Sequence, residues 1–181
     1  MVELEVVNVV ATTDMHQQVD LIEISQLDNI IYNQEKYGGR VTYLKTPETH
    51  GKVSIFFSGK LISVGTRSPE EAQQDLVKTV NILVSKGLID PITIEAEMQN
   101  IVAVLRLENP LDLESLALVI GGIYEPEQFP GLILRHDEPK VTYLIFSSGK
   151  AVLAGSKNIQ ELGQAAENLK NIIQAAEALL S

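Results

Sequence analysis

The chain has 181 residues, no cysteine, and 14 Lys+Arg against 24 Asp+Glu, a formal net charge of −10. An apolar share of 45% is enough for a full core, so global disorder is excluded, and the length fits one domain or two small ones. The lack of cysteine excludes disulfides and thiolate metal sites and fits a reducing cytoplasm; no apolar run approaches the roughly 20 residues of a membrane-spanning helix, the N-terminus lacks the basic-then-apolar pattern of a signal peptide, and the acidic balance argues against nonspecific attraction to nucleic acid.

In chain order, residues 2–12 form a β-rich run and a short helix falls within 19–29. Strands follow at 40–44, 53–58 and 61–64, the last two joined by a tight Ser58-Gly59-Lys60 turn. Ser68 and Pro69 then open a longer amphipathic helix as N-cap and first-turn proline, with Glu70 and Glu71 at its positive end. The order then starts again. A β-rich run covers 92–107, and a helix within 111–120 has Asn109 as candidate cap and Pro110 at its first position. Strands lie at 132–135, 141–147 and 151–154. A closing helix carries the stripe Leu162, Ala165, Leu169, Ile172, Ile173 and Ala176.

The recurrence is in the letters as well. VNVVATTD (7–14) resembles QNIVAVLR (99–106), and IYNQEKYGG (31–39) resembles IYEPEQFPG (123–131), both at an offset of 92. SIFFSGKLISVGTR (54–67) resembles LIFSSGKAVLAGSK (144–157) at an offset of 90, which assigns two extra residues to LKTPETHGK (44–52). Two repeats are expected, 1–91 and 92–181, with 8 and 6 basic residues and 12 acidic residues each. Short turns between strands imply an antiparallel sheet with helices on one face, an α+β fold.

The strands are too apolar for a sheet with one wet face. In 141–146, V-T-Y-L-I-F, alternation puts Tyr143 and Ile145 toward the helices and Leu144 and Phe146 on the other side. Val152 and Ala154 join that second face, as do Phe56, Ile62 and Val64 in the first half, while Ile55, Phe57 and Leu61 point inward. Val10 and Val102 extend it, with Asn8 and Asn100 two residues earlier on the same side. Such a face is an interaction surface, a homodimer contact, or one side of a sheet buried on both sides. Lys60, Arg67, Arg135, Lys150 and Lys157 rim it in both halves, which suits a polyanion with matching symmetry such as duplex DNA.

Residues 124–157, YEPEQFPGLILRHDEPKVTYLIFSSGKAVLAGSK, resemble the second repeat of the archaeal TATA-box-binding protein family, and the two-repeat layout extends the resemblance over nearly the whole chain. The resemblance implies a saddle: one curved antiparallel sheet whose concave side grips the DNA minor groove, with helices on the convex face. It implies aromatic wedges at Phe129 (followed by Pro130), Phe146 and Phe56, with Tyr37 in place of the first repeat's other Phe. Asn8 and Asn100 match the central asparagines. Val10, Ile62, Val64, Val102, Leu144, Val152 and Ala154 match the apolar floor, and Lys60, Arg67, Arg135, Lys150 and Lys157 match the phosphate contacts. Phe57 is expected in the core. Glu125 and Glu127 match the loop that meets transcription factor B, or are simply a solvated turn.

Departures gather in the first repeat. Tyr43 stands where a basic residue is usual, with Arg40 or Lys45 as candidate substitutes, and Ser54 replaces an apolar floor residue. The expectation is weaker kinking, or altered box ends, under that half. The implied role is a general transcription initiation factor in the cytoplasm, associated with the nucleoid, recruiting transcription factor B and, through it, RNA polymerase. It would need no cofactor, metal or membrane, and would be a monomer on DNA and a candidate homodimer when free. The alternatives are a paralogue that regulates selected promoters, and a sheet domain that dimerises or takes an apolar ligand. No enzymatic constellation is present: His16, His50 and His136 share no ligand spacing, and Gly38-Gly39 and Gly121-Gly122 lack the lysine and helix of a phosphate loop.

Overall fold

The computed structural model describes residues 3–180, the side chain of Tyr37 excepted; residue 2 of the first β-rich run thus lies outside the described residues. Contacts divide the chain into two compact units, Asn8–Gln99 and the remainder. Among the described residues no helix is long and apolar enough to cross a membrane, and no cluster of carboxylates and histidines could hold a metal.

The first unit contains most of β1 (Glu3–Asp14), then α1 (Leu21–Ile24), β2 (Ile30–Tyr32), a 3-10 turn at Lys36–Gly39, β3 (Val41–Leu44), β4 (Lys52–Phe56), β5 (Lys60–Thr66) and α2 (Pro69–Ser85). Its strands pair antiparallel in the order β2-β3-β4-β5-β1. The second unit contains most of β6 (Glu97–Arg106), which begins five residues later than the sequence suggests, then α3 (Leu113–Ile120), β7 (Leu132–Asp137), β8 (Lys140–Ile145), β9 (Lys150–Ser156) and α4 (Ile159–Leu180). Its strands pair in the order β6-β9-β8-β7. Three-residue β2 has too few residues to show alternation, and the sequence gives no sign of it.

Each SGK segment closes its hairpin through a glycine N–H donating to the phenylalanine carbonyl three residues before it, Gly59 to Phe56 at 2.9 Å and Gly149 to Phe146 at 3.0 Å. Both glycines have positive φ, and a Cβ at either would meet a backbone oxygen of the segment lying across the turn, at 2.1 Å from Gln17 and 2.4 Å from Asn109. That crossing segment decides where each short helix starts. Leu107 N–H donates to the Gly149 carbonyl and Leu111 N–H to the Ser147 carbonyl, so residues 107–111 cross the turn outside any helix. The helix therefore begins later than Asn109-Pro110 suggests, and its cap is Asp112, which accepts from Ser115 N–H (3.2 Å) and Ser115 Oγ (2.7 Å). Those bonds, the side-chain one first, hold the Asp112 carboxyl below its ordinary range. Asp20, the repeat partner of Asp112, caps α1 in the same way. Ser68 and Pro69 open α2 as expected, with Ser68 Oγ accepting from Glu71 N–H at 3.1 Å.

In both units the helices cover the inward sheet face. Val53, Ile55 and Leu61 in the first, and Tyr143, Ile145, Ala151 and Leu153 in the second, are fully buried against them. The Tyr143 hydroxyl donates to the Ala165 carbonyl of α4 at 3.0 Å, and burial raises its pKa. Phe57, expected in this core, is 49% exposed instead. Strand β4 ends at Phe56, so alternation no longer governs the next residue; its backbone is tied to Arg40 and Val19, and its ring lines an open cleft of about 580 Å³ with Leu21, Ile22 and Tyr32. The first unit also buries two hydroxyls, Thr42 Oγ1 and Ser63 Oγ, that have no hydrogen-bond partner among the described residues. Their register counterparts in the second unit are Leu132 and Leu153.

Asp75 on α2, 1% exposed, accepts from His50 N–H (3.0 Å), His50 Nδ1 (3.2 Å) and Gly51 N–H (2.7 Å), and so fastens the 45–51 loop to the helix. Thr42→Val and Ser63→Ala each remove a buried unpaired hydroxyl and are expected to raise unfolding free energy by ~1 kcal/mol, while Asp75→Ala, which strands two backbone donors, lowers it by ~3 kcal/mol. Urea titration of the three variants checks all three signs.

Candidate nucleic-acid interface

Cross-strand pairing fixes which side chains share the outward face. In the first unit Val41 pairs with Phe56, Tyr43 with Ser54, Ser54 with Ile62, and Lys52 with Val64. In the second, Ile133 pairs with Leu144, Leu144 with Val152, and Thr142 with both Arg135 and Ala154. The floor residues singled out from the sequence, Val10, Ile62 and Val64 in one unit and Val102, Leu144, Val152 and Ala154 in the other, are all half-buried, whereas their inward neighbours are buried. Apolar side chains that no helix covers therefore line one face of each unit.

The two asparagines sit at irregularities in the ladders. Register slips between Val9 and Ala11 against β5, and between Ile101 and Ala103 against β9. At each slip a glycine adopts positive φ, Gly65 at 88° and Gly155 at 103°, as a bulge requires. The bulge takes the glycine N–H out of the ladder, and an asparagine side chain accepts it: Gly65 N–H to Asn8 Oδ1 at 2.8 Å, Gly155 N–H to Asn100 Oδ1 at 2.9 Å. A backbone N–H can only donate, so the amide oxygen must be the atom facing it, which leaves each NH2 as the donating end. The result is a matched pair of oriented amide donors, one on each apolar face. Gly155→Ala forces an L side chain into that φ and is expected to cost ~1–2 kcal/mol of stability, read by thermal melting.

In the second unit Phe129 and Phe146 pack edge to face with ring centroids 5.8 Å apart. Phe146 is half-buried, Phe129 and Pro130 lie beside it at the end of the sheet, and Phe56 is the half-buried ring at the corresponding end of the first unit. Tyr37 lies on the 3-10 turn before β3, and its side chain is outside the described residues. Lys60, Lys150, Arg135, Arg67 and Lys157 are all exposed, the first two opening β5 and β9 and the last two just beyond the strands' far ends. Glu125 and Glu127 are exposed on the loop before Phe129, where the Glu125 carbonyl accepts from Gln128 and Phe129 N–H.

Register corrects the placement of the two extra residues. Leu44 pairs with Val53 and Leu134 with Tyr143, the same separation in each hairpin, so LKTPETHGK contains no insertion. Ile31 pairs with Tyr43, twelve positions on, whereas Ile123 pairs with Ile133, ten positions on. The extra residues lie between β2 and β3, in the segment that carries Tyr37. Tyr43 consequently occupies the place of Ile133, and Lys45, one of the two candidates, that of Arg135. Tyr37 matches Phe129 when counted from β2; counted back from β3, Gly39 falls there. Letter matching missed this because the loop has no partner strand to fix its count. Lys52 was missed as well: it lies on the outward face with its ammonium 4.5 Å from the centre of the Tyr43 ring.

Two related α+β units, each with one helix-covered and one open apolar face bearing an oriented amide, define a two-repeat binding protein. The chain matches the family model described as transcription factor TFIID (or TATA-binding protein, TBP) at residues 3–85 and again at 95–176. It is 38% identical over 171 residues to the TATA-box-binding protein of Methanothermobacter thermautotrophicus, covering 93% of both chains. It is 42% identical over 164 residues to that of Methanothrix thermoacetophila, covering 87% of this chain and 88% of the relative. Among solved structures, Methanococcus jannaschii TBP superposes with a TM-score of 0.85 at 35% identity, over 96% of this chain and 99% of the other. The chain belongs to the TATA-binding protein family.

Proposed function

We propose that this protein is a general transcription initiation factor that binds A/T-rich promoter duplex through the minor groove, kinks it with Phe129, Phe146 and Phe56, and presents it to transcription factor B and thence RNA polymerase. The observation that carries the reading is the pair of bulge-anchored asparagines. The minor-groove edge of an A·T or T·A pair offers only acceptors, while guanine adds an amine donor. Amide NH2 groups suit the former. The floor of Val10, Ile62, Val64, Val102, Leu144, Val152 and Ala154 would bury a guanine amine unpaired, at roughly 1–3 kcal/mol. Apolar rings inserted between base steps unstack them and open the minor groove, the mode of kinking for which TATA-binding proteins are themselves the standard example. Lys60, Lys150, Arg135, Arg67 and Lys157, with Lys45 as the first repeat's counterpart to Arg135, neutralise phosphates.

The acidic net charge works against long-range attraction, so affinity leans on shape and ring insertion. Glu125 and Glu127 offer a basic partner a negative loop beside the Phe129–Phe146 end, which supports contact with transcription factor B there. No step of this function requires bond chemistry or a cofactor.

Asn→Asp separates fold from function. In Asn8→Asp and Asn100→Asp the remaining oxygen still accepts the glycine N–H, so melting is unchanged, but the donor becomes a carboxylate facing acceptors. Fluorescence anisotropy with a labelled A/T-rich duplex should show binding by the wild type and a loss of about tenfold or more for either variant. Absence of wild-type binding by folded protein at low salt, or binding indifferent to both variants, contradicts the reading.

A further inference from the structure

The Phe129–Phe146 pair depends on a missing side chain. Gly131 lies just before β7, beneath the two rings. A Cβ there would be 2.8 Å from Phe129 Cε1 and 3.1 Å from Phe146 Cε1, the first a distance that side-chain carbons do not adopt. The rings pack edge to face because Gly131 leaves that space open to them.

The first unit fills the same space. Val41 pairs with Phe56 on the outward face, and the shared hairpin separation places it where Gly131 stands beside Phe146. Val41 is 3% exposed, so its Cβ and both methyl groups occupy packed volume. The chain reaching this point from β2 is also two residues longer than in the second unit. Val41 thus puts a side chain at the position where Gly131 leaves room for Phe129 beside Phe146.

We infer that the two repeats deform DNA unequally: the second inserts Phe129 and Phe146 as one mutually supported unit, and the first inserts Phe56 alone, with Val41 as its cross-strand neighbour. Val41 and Gly131 are then the residues that set how many rings each end of the box receives. The inference rests on the minor-groove reading above and gives that reading a direction: the base step under the second repeat must unstack easily, whereas the step under the first is held to a weaker demand. A sequence with a pliable pyrimidine–purine step at one end only is bound in one orientation.

The test uses the full chain, without transcription factor B, and an A/T-rich duplex with 2-aminopurine at one terminal step or the other. Binding by the wild type establishes the minor-groove reading first, by anisotropy; the inference is then judged on ring-by-ring losses. Phe129→Ala and Phe146→Ala are each expected to weaken binding by about tenfold or more and to quench the unstacking signal at one end, as loss of a base-stacking ring does. Phe56→Ala abolishes the signal at the other end by itself, and Tyr37→Ala leaves affinity within about twofold. Gly131→Ala should reproduce part of the Phe129→Ala loss. Circular dichroism melts establish that each variant is folded; if Gly131→Ala is not, the comparison of Tyr37→Ala with Phe129→Ala still decides. A Tyr37→Ala loss equal to that of Phe129→Ala in a protein that binds DNA overturns the inference while leaving the minor-groove reading intact.

Discussion

Period-two alternation in strands that are apolar on both sides is the constraint on which the rest depends. One face of each sheet unit is satisfied internally, because α2 and α4 bury Ile55, Leu61, Tyr143, Ile145 and Leu153. The other retains Val10, Ile62, Val64, Val102, Leu144, Val152 and Ala154 half-exposed, without a helix to cover them. Leaving that much apolar surface open costs solvation, and the face is complete only with something laid against it. The bulges at Gly65 and Gly155 then place one polar group on each such face, in an orientation set by the backbone and not by the ligand. Amide donors fixed in this way lose little freedom on binding, which favours discrimination between base-pair edges over sheer affinity.

The two repeats share this frame but not its finish. Where the second unit has Leu132, Leu153 and Gly131, the first has Thr42, Ser63 and Val41. Two of those exchanges leave buried hydroxyls without a partner among the described residues, and the third puts a side chain at the position over which two rings pack in the other unit. The first unit recovers order elsewhere, by fastening its 45–51 loop to Asp75, with Lys78 donating to the Glu48 carbonyl at 2.8 Å. The second unit turns the corresponding corner with Glu138 and Pro139 alone.

Much of this is legible in the letters. Alternation in V-T-Y-L-I-F assigns Leu144 and Phe146 to one face and Tyr143 and Ile145 to the other, and the structure keeps that division. Ser68-Pro69 opens α2 as expected. The failures share a cause: each concerns a residue whose environment is set by a neighbour distant in sequence. Phe57 follows the last paired residue of β4, so its side is decided by the chain crossing from Val19 and Arg40. Asn109 loses the cap to Asp112 because the same kind of crossing, over Gly149, keeps 107–111 out of the helix. The two extra residues fall in a different loop from the one that letter matching assigns, because only the pairing of Ile31 with Tyr43 counts them. The acidic composition, which at first argues against nucleic acid, describes an average: Glu70, Glu71, Glu114, Glu161, Glu167 and Glu177 lie on helices, and on the outward side the acids Asp14 and Asp137 sit at strand ends, opposite Lys60 and Lys140.

The central claim, that the faces read minor-groove acceptors and reject the guanine amine, is tested most directly by replacing A·T pairs of a bound duplex with inosine–cytosine pairs. Inosine–cytosine presents the minor-groove edge of A·T but the major-groove edge of G·C, because hypoxanthine lacks the 2-amino group. Competition binding should rank the inosine duplex close to the A/T duplex and well above the guanine–cytosine duplex. Equal loss of binding on the inosine and guanine duplexes would contradict the account.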